Sequence, residues 1–475
     1  MSARDDLAPL DADLAATLGL YETHRFCLRL APEVTLLADD GAPKSELNAD
    51  VLVVLLHEYT HFLHNLSTAS GFAAYQCFQQ LLGVFSNALN DDGTCDPAHL
   101  SSDNTAVARS ALDALESIDG TRRLPNHPSP VTGLSVVSAR CAPTQVGGVS
   151  VQHAKVEWVI DRRDGTRETF VSDVGAFVIE EGIAFTLEEC VRLNAVTFER
   201  SGVDPPPLYP YEAFRVLAQH YVPDISALSA IRLGLLALST NRPGASLLHA
   251  LDAYKRLRAS GADDVAACRT VRGSIDEMLK AITQRICSID LGEISKMHFE
   301  RGLVADGHAS VLDEFRRLLT QRAADPWFDV AWCQEDGTLD LKALSALLLS
   351  TVPCDAIQEQ SGSENDFGRD VLLTFKSAGV QRDDGGIVPT TANSGLRAVQ
   401  AQFDYLLAHL SPSQGIVATT QPSPRRCPYF TTCTLEMRRD DPQPCKEAPW
   451  QRLTNKGETC WYGVAVGATL GTLRN

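Results

Sequence analysis

The stretch LLHEYTHFLHN, residues 55–65, sets three histidines and a glutamate inside an otherwise apolar run that begins with VLVVLL at 51–56. From Ser45 or Asn48, both good cap residues, the apolar-rich pattern continues to Thr68 and stops before Gly71, which predicts one helix over about 47–69. Positions four apart on a helix share a face about 6 Å apart, so His57 and His61 can hold one metal ion between two imidazoles. Burying two histidines and a glutamate beside VLVVLL is costly without compensation, which favours ligation over a merely structural role.

His57-Glu58-Tyr59-Thr60-His61 fits H-E-x-x-H, and Glu58 lies about 100° around the helix from His57. In metallohydrolases a carboxylate so placed stands beside the open position of zinc and takes a proton from its water. A catalytic zinc generally has three protein ligands, so a third is needed. His64 is on the same stripe but about 10.5 Å further along the axis from His57, which suits a substrate-facing or supporting role better. The metzincin pattern requires a histidine six residues after His61, where this chain has Ser67. The next candidates are Glu180 and Glu181 in Ile179-Glu180-Glu181-Gly182-Ile183-Ala184. These sit on a helix predicted at about 173–198, with Ser172 or Asp173 as N-cap. Phe177, Ala184, Phe185 and Glu188 lie at helical neighbour spacings from Glu181 and set it near an apolar edge, whereas Glu180 reads more as a solvated face.

H-E-x-x-H followed by a helical E-G-x-A resembles the gluzincin zinc metallopeptidases, over two short motifs rather than the whole chain. The resemblance implies a zincin-like catalytic core in which His57, His61 and Glu181 bind zinc and Glu58 is the general base. It also implies close helix packing at Gly182 and Ala184. This chain departs from the pattern in the 120 residues between His61 and Glu181. It departs again at Phe185, where related groups carry an aspartate that orients a histidine. Tyr209, Tyr211, Arg215, His220 and His249 follow the ligand helix, and Tyr211 is the candidate for oxyanion stabilisation.

Around these motifs the chain reads as α+β and predominantly helical. Short apolar runs over 20–40 suggest one or two strands. Residues 149–172 alternate on both sides of Arg163-Asp164-Gly165, predicting a hairpin that supplies the edge strand for an extended peptide. Further helices are expected at about 72–90, 104–118, 211–221, 224–239, 245–259, 263–287, 309–323 and 396–410. PPPLYP at 205–210 is a rigid break, and 360–368 and 381–395 read as linkers. The implied division is a metallopeptidase core over 1–200, a helical domain over 201–412 and a Cys-rich C-terminal cap over 413–475.

Of the 13 cysteines, nine are scattered and read as reduced core thiols. Cys427, Cys433, Cys445 and Cys460 fall close together and suit a structural zinc site, an iron–sulfur cluster or unligated thiols. Arginines and aromatics around them leave room for a regulatory protein partner. Lys and Arg total 42 against 60 Asp and Glu, and the resulting charge of −18 repels phosphate backbones and anionic membranes. Nucleic acid is therefore not the expected partner. Without a secretory h-region or an apolar run of about 20 residues, the expected location is the cytoplasm and no membrane is involved. The expected function is a selective intracellular zinc endopeptidase acting on a protein or peptide. The alternatives are a zinc hydrolase of a non-peptide substrate and a non-catalytic metal-stabilised scaffold or sensor.

Overall fold

The computed structural model describes residues 18–31, 33–34, 36, 49–146, 148–202, 207–288, 303–351 and 391–411. It also describes 357–359, 371–373, 382–383, 386–387, 415–418 and, with gaps, 427–470. Helix α1, Ala49–Ser67, carries the opening motif and is buried along nearly its whole length from Val51 onward. A helix apolar on most sides belongs inside a core rather than on a surface. The expected caps Ser45 and Asn48 lie outside the described residues. At its other end Thr68 turns extended, and its Oγ1 accepts the Gly71 N–H at 3.2 Å. That cap starts α2, Ala69–Ser86, three residues earlier than expected. Helix α3, Ser102–Asp119, is likewise capped by Ser101.

The expected hairpin is part of a three-stranded antiparallel sheet, ordered β3-β4-β5, of β3 Val131–Val146, β4 Val149–Arg162 and β5 Arg167–Val174. The Asp164-Gly165 turn is where the alternation placed it, with Gly165 at φ 84°. Strand β3 escapes the sequence because none of its residues is fully buried, which leaves little alternation to read. Helix α4, Ala176–Leu193, begins after Gly175 with no side-chain cap. Ser172 and Asp173 are not its N-cap: they still pair in β5, opposite Val156 and Lys155, and Asp173 holds the Lys155 ammonium at 2.8 Å.

The chain continues as α5 Leu208–Tyr211, α6 Ala213–Tyr221, α7 Ala227–Leu238, α8 Pro243–Ala259 and α9 Asp264–Cys287. Then follow α10 Leu303–Ala324, α11 Leu341–Thr351 and α12 Thr391–Leu407, of which α11 was not expected. Strands β1 Gly19–Glu22 and β2 Cys27–Leu30 join β6 Ile357–Glu359 and β7 Val371–Leu373 in a second sheet, ordered β1-β2-β6-β7. The presumed linker 360–368 lies outside the described residues. The C-terminal part contains α13 Glu436–Asp440, α14 Gln443–Glu447 and α15 Trp461–Thr469, and α15 packs on α12 and α10.

The fold is thus α+β and mainly helical. Helix α1 sits at its centre, in contact with α2, α4, α10 and strand β1. Helix α4 packs in turn on α6 and α7. Gly182 makes that approach possible, because a Cβ there would stand 2.2 Å from Phe214 Cβ. Among the described residues, no helix is long and apolar enough to cross a membrane.

Candidate metal centre

Packing α1 against α4 brings together residues 120 positions apart. His57 Nε2 and His61 Nε2 each stand 3.6 Å from the same oxygen, Oε2 of Glu181. Among the described residues, these three form the His, Cys, Asp or Glu group whose donor atoms all lie within 4.8 Å of one another. Tetrahedral zinc with bonds of about 2.0–2.2 Å has ligand–ligand edges of roughly 3.3–3.6 Å, so the spacing fits a single small ion. Glu181 Oε2 is buried without a hydrogen-bond partner, which is what a ligand atom facing a cation site presents.

The electrostatics agree with the geometry. Burial by itself would raise the Glu181 carboxyl, but the adjacent His61 and His57 outweigh it and hold it well below the usual range. Burial would lower His57, yet the adjacent Glu181 and Glu188 carboxylates push it well above its ordinary value. The imidazoles thus favour the ionised carboxylate, and the carboxylates favour the protonated form of His57.

Glu188 was not assigned from the sequence. Its Oε2 lies 3.1 Å from His57 Nδ1, and its Oε1 accepts from Arg192 Nη2 at 2.8 Å. With Nδ1 engaged there, Nε2 is the nitrogen turned toward Glu181 and His61. The orienting carboxylate therefore comes seven residues after Glu181 rather than four, where Phe185 stands.

Glu58 is buried beside the cluster, and its carboxylate accepts the Tyr21 backbone N–H. Burial raises its pKa, and the neighbouring imidazoles only partly offset that. The strand above it is β1, not an edge of the expected hairpin. Asn65 on α1 ties down the β1 end and the following turn through its Nδ2, which donates to Tyr21 Oη at 2.6 Å and Thr23 O at 2.9 Å. At Gly19 a Cβ would come within 2.8 Å of Glu58 Cγ, so the strand lies directly on the glutamate.

These groups open into a cavity of about 270 Å³ lined by β1, by His57, Glu58 and His61, and by Glu180, Glu181 and Tyr211. The Tyr211 ring lies 6.1 Å from that of His57, tilted by 54°. The other four oxyanion candidates are not among the residues lining this cavity. Tyr209 donates to Thr121 O, Arg215 pairs with Glu212, and His249 approaches Cys141. Glu180 faces the cavity without joining the ligand set, and burial pushes its carboxyl up to about 8. Asp119 and Arg122, paired at 2.8 Å, complete the rim.

His64 is not substrate-facing. It is fully buried further along α1, with Nε2 3.4 Å from Asp329 Oδ2. Cys427, Cys433, Cys445 and Cys460 lie in the C-terminal part as free thiols, three buried and Cys433 half-buried. No family of proteins, curated protein or solved structure matches this chain.

Proposed function

We propose that this chain is a zinc-dependent peptidase with a zincin-like core. The observation that carries the reading is the meeting of His57 Nε2, His61 Nε2 and Glu181 Oε2 in one cleft with Glu58. Two imidazoles and one carboxylate are the donor set of a catalytic zinc with an open fourth position. When bound there, zinc acts as a Lewis acid that acidifies water and polarises a carbonyl.

The protein's own groups supply the rest. Glu58 takes the proton of the attacking water and returns it to the leaving amine. Tyr211, beside His57, donates its phenolic hydrogen to the oxygen on which negative charge develops. Strand β1 ends its sheet above Glu58, and an extended peptide laid along it gains backbone hydrogen bonds in register with the cleft. A cavity of about 270 Å³ admits few substrate side chains, which supports a selective endopeptidase rather than a digestive one. Cys77, Cys190, Cys268 and Cys333 are buried as thiols, in keeping with a reducing cytoplasm.

The decisive experiment compares zinc-loaded wild type and Glu58→Gln on a mixed peptide library, with termini mapped by mass spectrometry. Cleavage at discrete sites that disappears in the variant while its zinc content stays the same is the expected result. Equal cleavage by both proteins, or none by wild type with zinc bound, overturns the reading.

A further inference from the structure

We propose that Cys427, Cys433, Cys445 and Cys460 bind a second zinc ion, which fastens the C-terminal part to α12. This lies beyond the peptidase reading and does not depend on it.

The first support is convergence. The four residues span 34 positions and two short helices, yet backbone hydrogen bonds and a ring contact gather the turns that carry them. The Cys427 N–H donates to Cys445 O at 2.9 Å, and the Phe430 N–H donates to Cys427 O at 2.9 Å, closing a tight turn. The Cys433 N–H then donates to Tyr429 O at 2.8 Å. Cys460 is the N-cap of α15. The Tyr429 ring meets that of Trp461 edge-on at 5.4 Å, which sets the Cys460 end of α15 beside the Cys427 turn.

The second support is what faces the sulfurs. Backbone N–H groups two residues on point at three of them: Tyr429 at Cys427, Leu435 at Cys433 and Tyr462 at Cys460. The Gly463 N–H adds a second donor to Cys460 Sγ at 3.5 Å, and the Arg452 side chain reaches Cys445. Such donors stabilise a thiolate, the form that ligates metal, and do little for a neutral thiol.

Charge balance completes the case. One Zn²⁺ with four thiolates carries two negative charges and releases four protons to solvent. Arg438 and Arg452 act on these same sulfurs and offset part of that charge, Arg452 while also paired with Asp441 at 3.3 Å. Arg438 Nη1 also donates to Cys433 O at 2.6 Å. Zinc–sulfur bonds of about 2.3 Å set sulfur–sulfur edges near 3.8 Å. Among the described residues, the donors of His57, His61 and Glu181 stand within 4.8 Å of one another; the four sulfurs do not, and ligation requires them to close up.

The ion then braces more than its own turn. The Tyr429 hydroxyl contacts Arg397 O at 2.9 Å and Gln400 Oε1 at 2.8 Å on α12. Gln400 Nε2 donates to Arg25 O in the turn between β1 and β2, the strand pair that roofs the cleft.

The test counts zinc in the purified full chain by mass spectrometry of the dissolved metal. Wild type is expected to hold two equivalents, and His61→Ala, Cys433→Ser and Cys460→Ser one each. If the cysteine variants misfold, cobalt substitution of wild type and His61→Ala reads the same site directly, through sulfur-to-cobalt charge-transfer absorption in both. Failure of the peptidase site alone leaves wild type with one zinc, unchanged by His61→Ala, and the cobalt–thiolate band intact. No cobalt–thiolate band, or iron and labile sulfide in place of zinc, overturns the proposal.

Discussion

Glu188 orients His57 from a position that the spacing rule of four residues overlooks. Seven residues turn a helix through about 700°, nearly two full turns, so Glu181 and Glu188 project from one face of α4. One carboxylate meets Nε2 of His57 and the other meets Nδ1. Removing such an orienting partner costs about 10- to 100-fold in metal affinity, and Glu188→Ala is expected to show that loss in chelator competition with its circular dichroism unchanged. Tyr211→Phe is expected to keep its zinc while kcat falls by roughly 100-fold and KM hardly moves, as for loss of an oxyanion donor. Steady-state kinetics on one mapped peptide checks it, and an unaltered kcat removes Tyr211 from the mechanism. In the sequence the His57 and His61 spacing was readable because it is local. Glu188 was not, since one more glutamate on a helix looks the same whether it faces solvent or an imidazole 131 residues away.

At the scale of elements, α4 packs on both α1 and α6, and its close approach to α6 depends on Gly182. Alanine for glycine inside a helix usually adds stability of about 1 kcal/mol by propensity. At Gly182 the new Cβ would stand 2.2 Å from Phe214 Cβ, an overlap that neither helix can relieve by rotating a flexible tip. Overpacking of this kind costs about 1–3 kcal/mol, so Gly182→Ala is expected to lower stability in urea. Because Glu181 is the adjacent residue, zinc affinity should fall with it, and Phe214→Ala in the same chain should recover part of both. The α4 helix was legible from its 3.6-residue pattern, whereas its start was not. Ser172 and Asp173 look like caps but are claimed by β5, whose ladder runs on to Val174. Strand β1 is only four residues long, and its role comes from lying across Glu58, which alternation cannot reveal.

Across the whole molecule, α10 is locked to the end of α1 by a buried ionic group. Arg322 holds Asp329 through two bonds of 2.8 Å each and donates to Ser67 Oγ at 2.6 Å. Burial would raise the Asp329 carboxyl, but Arg322 and His64 overcome this and bring it to about 2. A carboxyl depressed in the folded state contributes stability that is present above its unfolded pKa of roughly 3.9 and is lost as pH falls through the folded value. Breaking a buried pair costs about 3–5 kcal/mol, so Asp329→Asn should be that much less stable at neutral pH. The gap should narrow as denaturation is measured from pH 4 towards pH 2. A gap independent of pH would show that the carboxylate charge does not carry the effect.

The sequence by itself determined what rests on neighbours along the chain. That includes the helix bearing His57, Glu58 and His61, the Asp-Gly turn, the predominance of helix, and the grouping of four late cysteines. Only the tertiary structure decided that Glu181 rather than Glu180 meets the two imidazoles, and that His64 turns away to Asp329. It also decided that β1 roofs the cleft and that Glu188 fixes the His57 ring. The physical reason is that helical period fixes which residues share a face of one element. Which face meets which depends on close packing between distant segments, here set by a missing Cβ at Gly182 and an ionic lock at Arg322.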